Sequence, residues 1–221
     1  MHETILDDAL RFAHLASVAL GLGVAAHTEM TALSRRYHPI DSAFLADLSA
    51  RHRLIGTALL IMWVSGFGLI TLKTGFSLAE MTPKLWAKLA AVSILSLNAA
   101  LIGWLALPLL ARGSGHRLCD LRPATRGVLF TLAGLSGGSW FAALALGSST
   151  FAKTASAELL GTALPAVYVC AVATALIVGF RLTRDERTLG RSFSTQDVLR
   201  SSLLSERVPR YSPSGVGRYG R

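Results

Sequence analysis

Five long apolar blocks, separated by shorter polar segments, dominate the chain. They cover residues 10–30, 54–72, 89–110, 127–149 and 159–182, and the second block contains no formally charged residue. The hydrocarbon core of a bilayer is about 30 Å thick and requires about 20 apolar residues in a helix. Because lipid cannot satisfy the polar groups of an open strand edge, the pattern predicts an all-α integral membrane bundle of five transmembrane helices.

The composition agrees with this pattern. Of 221 residues, 52% are apolar and 16% are charged, against about 25% charged residues in a soluble domain. The chain is too apolar for intrinsic disorder, and its two cysteines exclude a disulfide scaffold. The first block lacks the basic start and the small-residue cleavage site of a signal peptide, so we interpret it as a retained span.

The basic residues predict an orientation. When the loops are assigned to alternate sides, 17 Lys and Arg residues fall on one side and 5 on the other. The positive-inside rule then places the N-terminus outside and the C-terminus inside, in a multi-pass protein of the cell inner (plasma) membrane. Topology and attraction to anionic lipid head groups explain the net charge of +9, so the predicted partner is the lipid bilayer and not nucleic acid.

Two regions are predicted. Residues 1–182 form the five-helix transmembrane domain, and residues 183–221 form a basic cytoplasmic tail. The tail is expected to begin as a short amphipathic helix on the membrane surface and to be disordered from Val208 onward, where Pro, Ser, Gly and Arg dominate. In the first loop, Asp41 or Ser42 is expected to cap a helix that continues into the second span.

Small residues inside the spans indicate where helices pack closely. Gly134 and Gly138 are four residues apart and share one helix face, which lets another backbone approach. Gly21 and Gly23 are expected to serve close packing of the first span. Asn98, in the middle of the third span, is expected to form a hydrogen bond between helices. Such faces are also typical of contacts with other membrane subunits or with a second copy of the chain.

The sharpest chemical hypothesis concerns His27 and His52. The first two helices are predicted to be antiparallel neighbours joined by one loop. Both histidines then fall at nearly the same depth, near the inner boundary of the membrane. Two neutral imidazoles can ligate the iron of haem b, or they can hold a metal ion together with Glu29. The structural alternative is that His52, flanked by Arg51 and Arg53, belongs to an interfacial basic cluster.

His14 is an outlying third candidate. It lies 13 residues from His27, which corresponds to about 20 Å along a helix, and no histidine on another helix matches its depth. The structural alternative for His14 is a hydrogen bond to a neighbouring helix or to water.

The first three spans resemble a group of small bacterial polytopic membrane proteins of unassigned function. The resemblance lies in residues 14–23 (HLASVALGLG), 63–69 (WVSGFGL) and 83–88 (PKLWAK), the last leading to Asn98. The opening helix is also similar in style to copper-resistance and b-type cytochrome membrane proteins. Some relatives carry a histidine five residues after the asparagine, whereas this chain has Gly103 there, which removes a third ligand from the metal hypothesis.

Three functional hypotheses follow. No Walker loop, dinucleotide fingerprint, HExxH or GxSxG motif is present, so nothing in the sequence indicates an enzyme. The first hypothesis is a non-catalytic integral membrane protein, an accessory or scaffolding subunit of a membrane complex. The alternative is a b-type haem or metal-binding electron-transfer protein that uses His27 and His52. The third is a small-molecule carrier.

Overall fold

The computed structural model describes the backbone of residues 2–205 and the side chains of residues 4–181 except that of Lys153. The chain divides into two compact units, residues 1–180 and 181–221. The described secondary structure is helical. The helices are α1 (His2–Ser34), α2 (Ser42–Thr74), α3 (Pro83–Leu101), α4 (Leu107–Arg112), α5 (Pro123–Ser148) and α6 (Ala157–Ser205).

The prediction of five spanning helices is confirmed as far as length and composition can show it. Within the described residues, the stretches long and apolar enough to cross a membrane are Thr4–Tyr37, Ser42–Thr74, Pro83–Arg112, Pro123–Ser148 and Ala157–Arg181. Each of these helices begins before its apolar block, in the polar segment that precedes it. The first three also continue beyond the end of their blocks, and the last two end within one residue of it. The helix α6 continues to Ser205, while its side chains beyond Arg181 and the tail from Val208 lie outside the described residues.

The helix ends follow from local chemistry. The Asp41 side chain accepts a hydrogen bond of 2.6 Å from the backbone N–H of Phe44, which confirms the predicted cap of α2. That helix ends at Gly75, whose φ of 52° is the left-handed conformation that glycine adopts without strain. The helix α3 begins with the Thr82 side chain as cap and Pro83 in its first turn.

A π-helical segment, Ile102–Ala106, joins α3 to α4 within the third span. Pro108 lies in the first turn of α4. A proline has no N–H to donate to the carbonyl one turn earlier, and its ring clashes sterically with that same carbonyl. The wider π turn accommodates both effects without breaking the helix. Gly103, the position at which some of the resembling proteins carry a histidine, lies in this segment.

Two helix pairs build the bundle, with α1 packed along α2 and α3 packed along α5. A buried cluster joins the pairs at mid-height and contains Ala25, Leu59, Met62, Leu95 and Trp140. A second cluster near the start of α3 and the end of α5 contains Ala87, Ala91, Ala142, Leu146 and Ala152. The first cluster therefore joins the two pairs at mid-height, whereas the second holds α3 against α5.

At the opposite end, the α1–α2 loop is tied to the loop that follows α4. The Ile40 N–H donates to the His116 carbonyl at 2.9 Å, and the Gly115 N–H donates to the Ile40 carbonyl at 2.9 Å. The Ser114 hydroxyl also donates to the Ile40 carbonyl. Ile40 itself is 4% exposed. We call these contacts of Ile40 with residues 114–116 the clasp; they close this end of the bundle.

Candidate functional site

A cavity of about 800 Å³ lies between the mid-height cluster and the clasp. Its walls come from α1, α2, α3, α5 and α6, and most of the lining is apolar. One end of the cavity is formed by residues of the mid-height cluster, namely Ala25, Leu95 and Trp140. The other end is formed by Pro39 and Ile40. Ligand pockets typically have volumes of about 300–1,000 Å³, with apolar walls and a few polar groups, so this cavity has the size and character of a binding site.

Among the described residues that line the cavity, Glu29 is the only acidic one. Its side chain reaches α5 near the middle of that helix, where a Cβ atom added at Gly137 would lie 3.8 Å from Oε2 of Glu29. The Ser136 hydroxyl faces the same carboxylate. Within the described part of the chain, no lysine, arginine or histidine forms an ion pair with Glu29. A carboxylate thus enters a mostly apolar cavity without a counter-charge.

Asn98 is another polar residue of the lining and is 1% exposed. Its Nδ2 donates to the Leu132 carbonyl on α5 at 3.1 Å, which confirms the predicted hydrogen bond between helices. Its Oδ1 is buried and has no hydrogen-bond partner among the described residues. Buried polar atoms without partners are uncommon in folded proteins, so this acceptor requires an explanation.

His52 lies in the cavity wall, whereas His27 does not. A Cβ atom at Gly103 would be 2.9 Å from Nε2 of His52, so the absence of a side chain at Gly103 provides the space for the imidazole. The His27 side chain is exposed and is absent from the cavity lining. The two helices do meet at this level, since Arg51 donates to the Thr31 hydroxyl at 3.1 Å.

His14 occupies a different part of the bundle and has structural partners. Its Nδ1 lies 3.1 Å from both the Met62 carbonyl and the Ser65 hydroxyl on α2. The carbonyl can only accept, so Nδ1 carries the proton and donates to it. Of the two interpretations of His14 given above, this geometry matches the hydrogen bond to a neighbouring helix. Among the described residues, no group of three or more His, Cys, Asp or Glu side chains could hold a metal ion.

The glycines proposed for packing fall into two classes. A Cβ atom at Gly134 would lie 2.8 Å from the Val172 Cα, and one at Gly138 would lie 2.9 Å from the Ala171 Cβ, so both positions allow α6 to approach α5. A side chain at Gly21 would collide with the Trp140 ring. Gly23 is exposed, and nothing in the described structure lies within 4 Å of its Cβ position.

Two arginines stand at the end of the cavity near the clasp. Arg35 donates to the Asp41 carboxylate at 2.8 Å, and Arg36 donates to the Tyr37 hydroxyl at 2.9 Å. The hydrogen bond from the Phe44 backbone, together with the Arg35 guanidinium, holds the pKa of Asp41 below its ordinary value. Arg35 is thus neutralised by Asp41, and Arg36 brings its positive charge to this end of the lining, seven residues after Glu29 in the sequence.

From the sequence, Glu29 is predicted only as a companion ligand of the histidines, and no pattern in the chain predicts the cavity. The available signal was the run of small residues at 136–139 (SGGS), which leaves room beside α5 for the side chains of other helices. No protein-family model, curated protein or solved structure matches the chain. The resemblance of the first three spans stays a prediction.

Proposed function

We propose that the protein is a non-catalytic multi-pass membrane protein that binds a small, largely apolar molecule inside the bundle, as a carrier does. The cavity of about 800 Å³ is the observation that supports this proposal. Of the three hypotheses from the sequence, the accessory subunit requires no such space, whereas a carrier and a haem protein both do. The apolar walls suit a ligand that partitions into lipid, and the few polar side chains suit recognition of one polar group.

Retention of a co-purified molecule tests the proposal. The variant Ala133→Trp places an indole in the cavity wall, and Leu144→Trp places one on the same helix at a position that is 48% exposed and outside the lining. Native mass spectrometry of protein extracted in mild detergent should show a bound small molecule in the wild type and in Leu144→Trp, and a loss in Ala133→Trp. A wild type that carries nothing and takes up no added apolar probe would contradict the proposal.

Haem b is the second candidate ligand, because His52 lies in the cavity wall. A single imidazole can hold a haem iron, although the structure places the proposed partner, His27, outside the lining. Oxidised and reduced visible spectra of the purified protein test this candidate. A Soret band that weakens in His52→Ala and persists in His27→Ala would support a haem with one histidine ligand. A colourless preparation would end the electron-transfer hypothesis.

The orientation is proposed from charge alone. We propose an inner (plasma) membrane location with the N-terminus outside and the C-terminus inside, on the strength of the 17 to 5 distribution of basic residues. This orientation puts the clasp on the cytoplasmic side. Reporter tags on the two termini should be accessible from opposite compartments, and accessibility from the same side would overturn the assignment.

The accessory-subunit hypothesis and self-association are independent of the cavity. Both stay predictions, and extraction in a mild detergent from the native host tests them together. A stable assembly larger than one chain would support an association with other subunits or with a second copy, whereas a lone chain would count against both.

A further inference from the structure

We propose that the cavity selects amphiphiles whose polar head is cationic and donates hydrogen bonds, such as a primary alkylammonium, and that Glu29 and Asn98 receive this head. The inference rests on the proposed function, because it specifies the ligand class of the same cavity. It is carried by two polar side chains that line the same apolar cavity: Glu29 has no ion-pair partner and Asn98 Oδ1 has no hydrogen-bond partner among the described residues.

The first step concerns charge. A carboxylate in a water-poor interior is costly unless it is neutralised, and Glu29 has no ion-pair partner within the described residues. The Ser136 hydroxyl can supply one hydrogen bond but no positive charge. An ionisable side chain that faces a cavity inside a helix bundle is typical of a substrate path. A buried carboxylate becomes tolerable either by taking up a proton or by gaining a cation beside it, and we assign the second role to the head of a cationic ligand in the cavity.

The second step concerns the acceptor on Asn98. Its Nδ2 is occupied by the Leu132 carbonyl, so the amide cannot rotate freely, and the remaining Oδ1 is a fixed acceptor without a partner. Leaving such an atom unsatisfied costs about 1–3 kcal/mol. Neighbouring atoms cover Oδ1, so a ligand head that moves them aside and brings a donor removes this cost, whereas a purely apolar ligand or a carboxylate does not.

The third step places the two acceptors together. Asn98 contacts α5 at Leu132, and the Glu29 carboxylate contacts it at Ser136 and Gly137. Leu132 and Ser136 are four residues apart, so they lie on one face about 6 Å from each other along the helix. A primary ammonium carries three donors and can satisfy acceptors on both sides of it. The apolar walls then surround the hydrocarbon part of the ligand.

The arginines near the clasp do not cancel this preference. Arg36 lies seven residues after Glu29, which corresponds to about 10 Å along α1, and the effect of its charge on the ligand head falls with this distance. Its Nε is buried without a partner in the described structure, so an anionic amphiphile is the most stringent competitor. Dodecanoate therefore belongs in the test.

Three ligands of one chain length separate the alternatives: dodecylammonium, dodecanol and dodecanoate. Binding to the purified full chain is measured by isothermal titration calorimetry in one detergent. The wild type should bind dodecylammonium at least about tenfold more tightly than either competitor. Glu29→Gln, which keeps the shape and removes the charge, should reduce this preference to nearly one. Glu158→Gln, an exposed position in the first turn of α6, should leave it unchanged.

The outcomes distinguish the inference from the proposed function. If dodecanol binds, Ala133→Trp abolishes that binding, and the ammonium has no advantage, the cavity binds ligands but the cationic preference is wrong. A preference for dodecanoate, or a preference for the ammonium that survives in Glu29→Gln, overturns the inference in the same way. If none of the three ligands binds the wild type, the proposed function fails as well.

Discussion

At the scale of single residues, the packing of the bundle depends on glycines that leave space for a neighbour. The candidate site depends on an amide, that of Asn98, with only one of its two polar ends hydrogen-bonded. Gly134 and Gly138 bring α6 against α5 because a Cβ atom would not fit at either position. Gly103 leaves space for His52. Asn98 uses its Nδ2 in a hydrogen bond to α5, while its Oδ1 is buried without a partner among the described residues. Packing and recognition are thus encoded in a few small or amide side chains within long apolar helices.

Gly134→Ala is expected to destabilise the bundle. The new methyl group would lie 2.8 Å from the Val172 Cα and 2.9 Å from the Ala171 carbonyl oxygen, and both are backbone atoms that cannot rotate away. Gly147→Ala is the matched control on α5, because its Cβ position has no neighbour within 4 Å among the described residues and alanine favours a helix over glycine by about 0.5–1 kcal/mol. The thermal unfolding midpoint in detergent should fall for the first variant and stay level or rise for the second.

Asn98→Ala should weaken the contact between α3 and α5. It removes the hydrogen bond to the Leu132 carbonyl, and such bonds between membrane helices are worth about 0.5–2 kcal/mol. Ser93→Ala on α3 is the control, since Ser93 is exposed. Chemical unfolding should show that the free energy of unfolding falls by this amount in Asn98→Ala and does not change in Ser93→Ala. An unchanged unfolding free energy would mean that the bond contributes nothing to stability.

At the scale of elements, each helix end is fixed by a local signal that the sequence displays, while the rotation of each helix is not. Asp41 and its bond to Phe44 begin α2 where the sequence predicts it. The helix α1, in contrast, is largely apolar around its whole circumference, so no polar stripe indicates its outer face. Its rotation follows from packing against the other helices.

The Asp41 cap should make the α1–α2 connection sensitive to acid. The pKa of Asp41 is lowered in the folded chain, so its ionised form stabilises the fold above the ordinary aspartate pKa. This contribution is lost as the pH falls through the lowered folded value. Unfolding midpoints measured against pH should therefore converge with those of Asp41→Ala in acid and exceed them near neutrality. Asp41→Asn, which caps at any pH, should show a smaller acid dependence than the wild type.

At the scale of the whole molecule, the sequence could predict the long apolar helices but not the site. His27 and His52 were expected at one level, and the contact between Arg51 and Thr31 joins α1 and α2 there. Two residues along a helix correspond to a rotation of about 200°, so a rotation that exposes His27 turns Glu29 inward. The cavity depends on how far the helix pairs separate between Trp140 and the clasp, which no local pattern encodes.

The separation of the helix pairs leaves the cavity open on one side of the bundle. Several lining residues are also exposed, among them Leu33 on α1, Phe141 on α5 and Cys170 on α6, whereas Ile40 closes the end of the cavity at the clasp. We therefore expect a ligand to enter between helices. Cys170 should react with a membrane-permeant maleimide, and a bound ligand should slow that reaction by covering the thiol.

Two single-cysteine proteins make this prediction measurable. Cys119→Ala leaves Cys170 as the reporter, and Cys170→Ala leaves Cys119, which lies in the loop after α4 and outside the cavity lining. Dodecylammonium should slow labelling of Cys170 several-fold and leave labelling of Cys119 unchanged, and Ala133→Trp should remove the protection. Equal slowing at both thiols would indicate an effect on the detergent and not occupancy, while an unprotected Cys170 with a ligand bound elsewhere would place entry on another side.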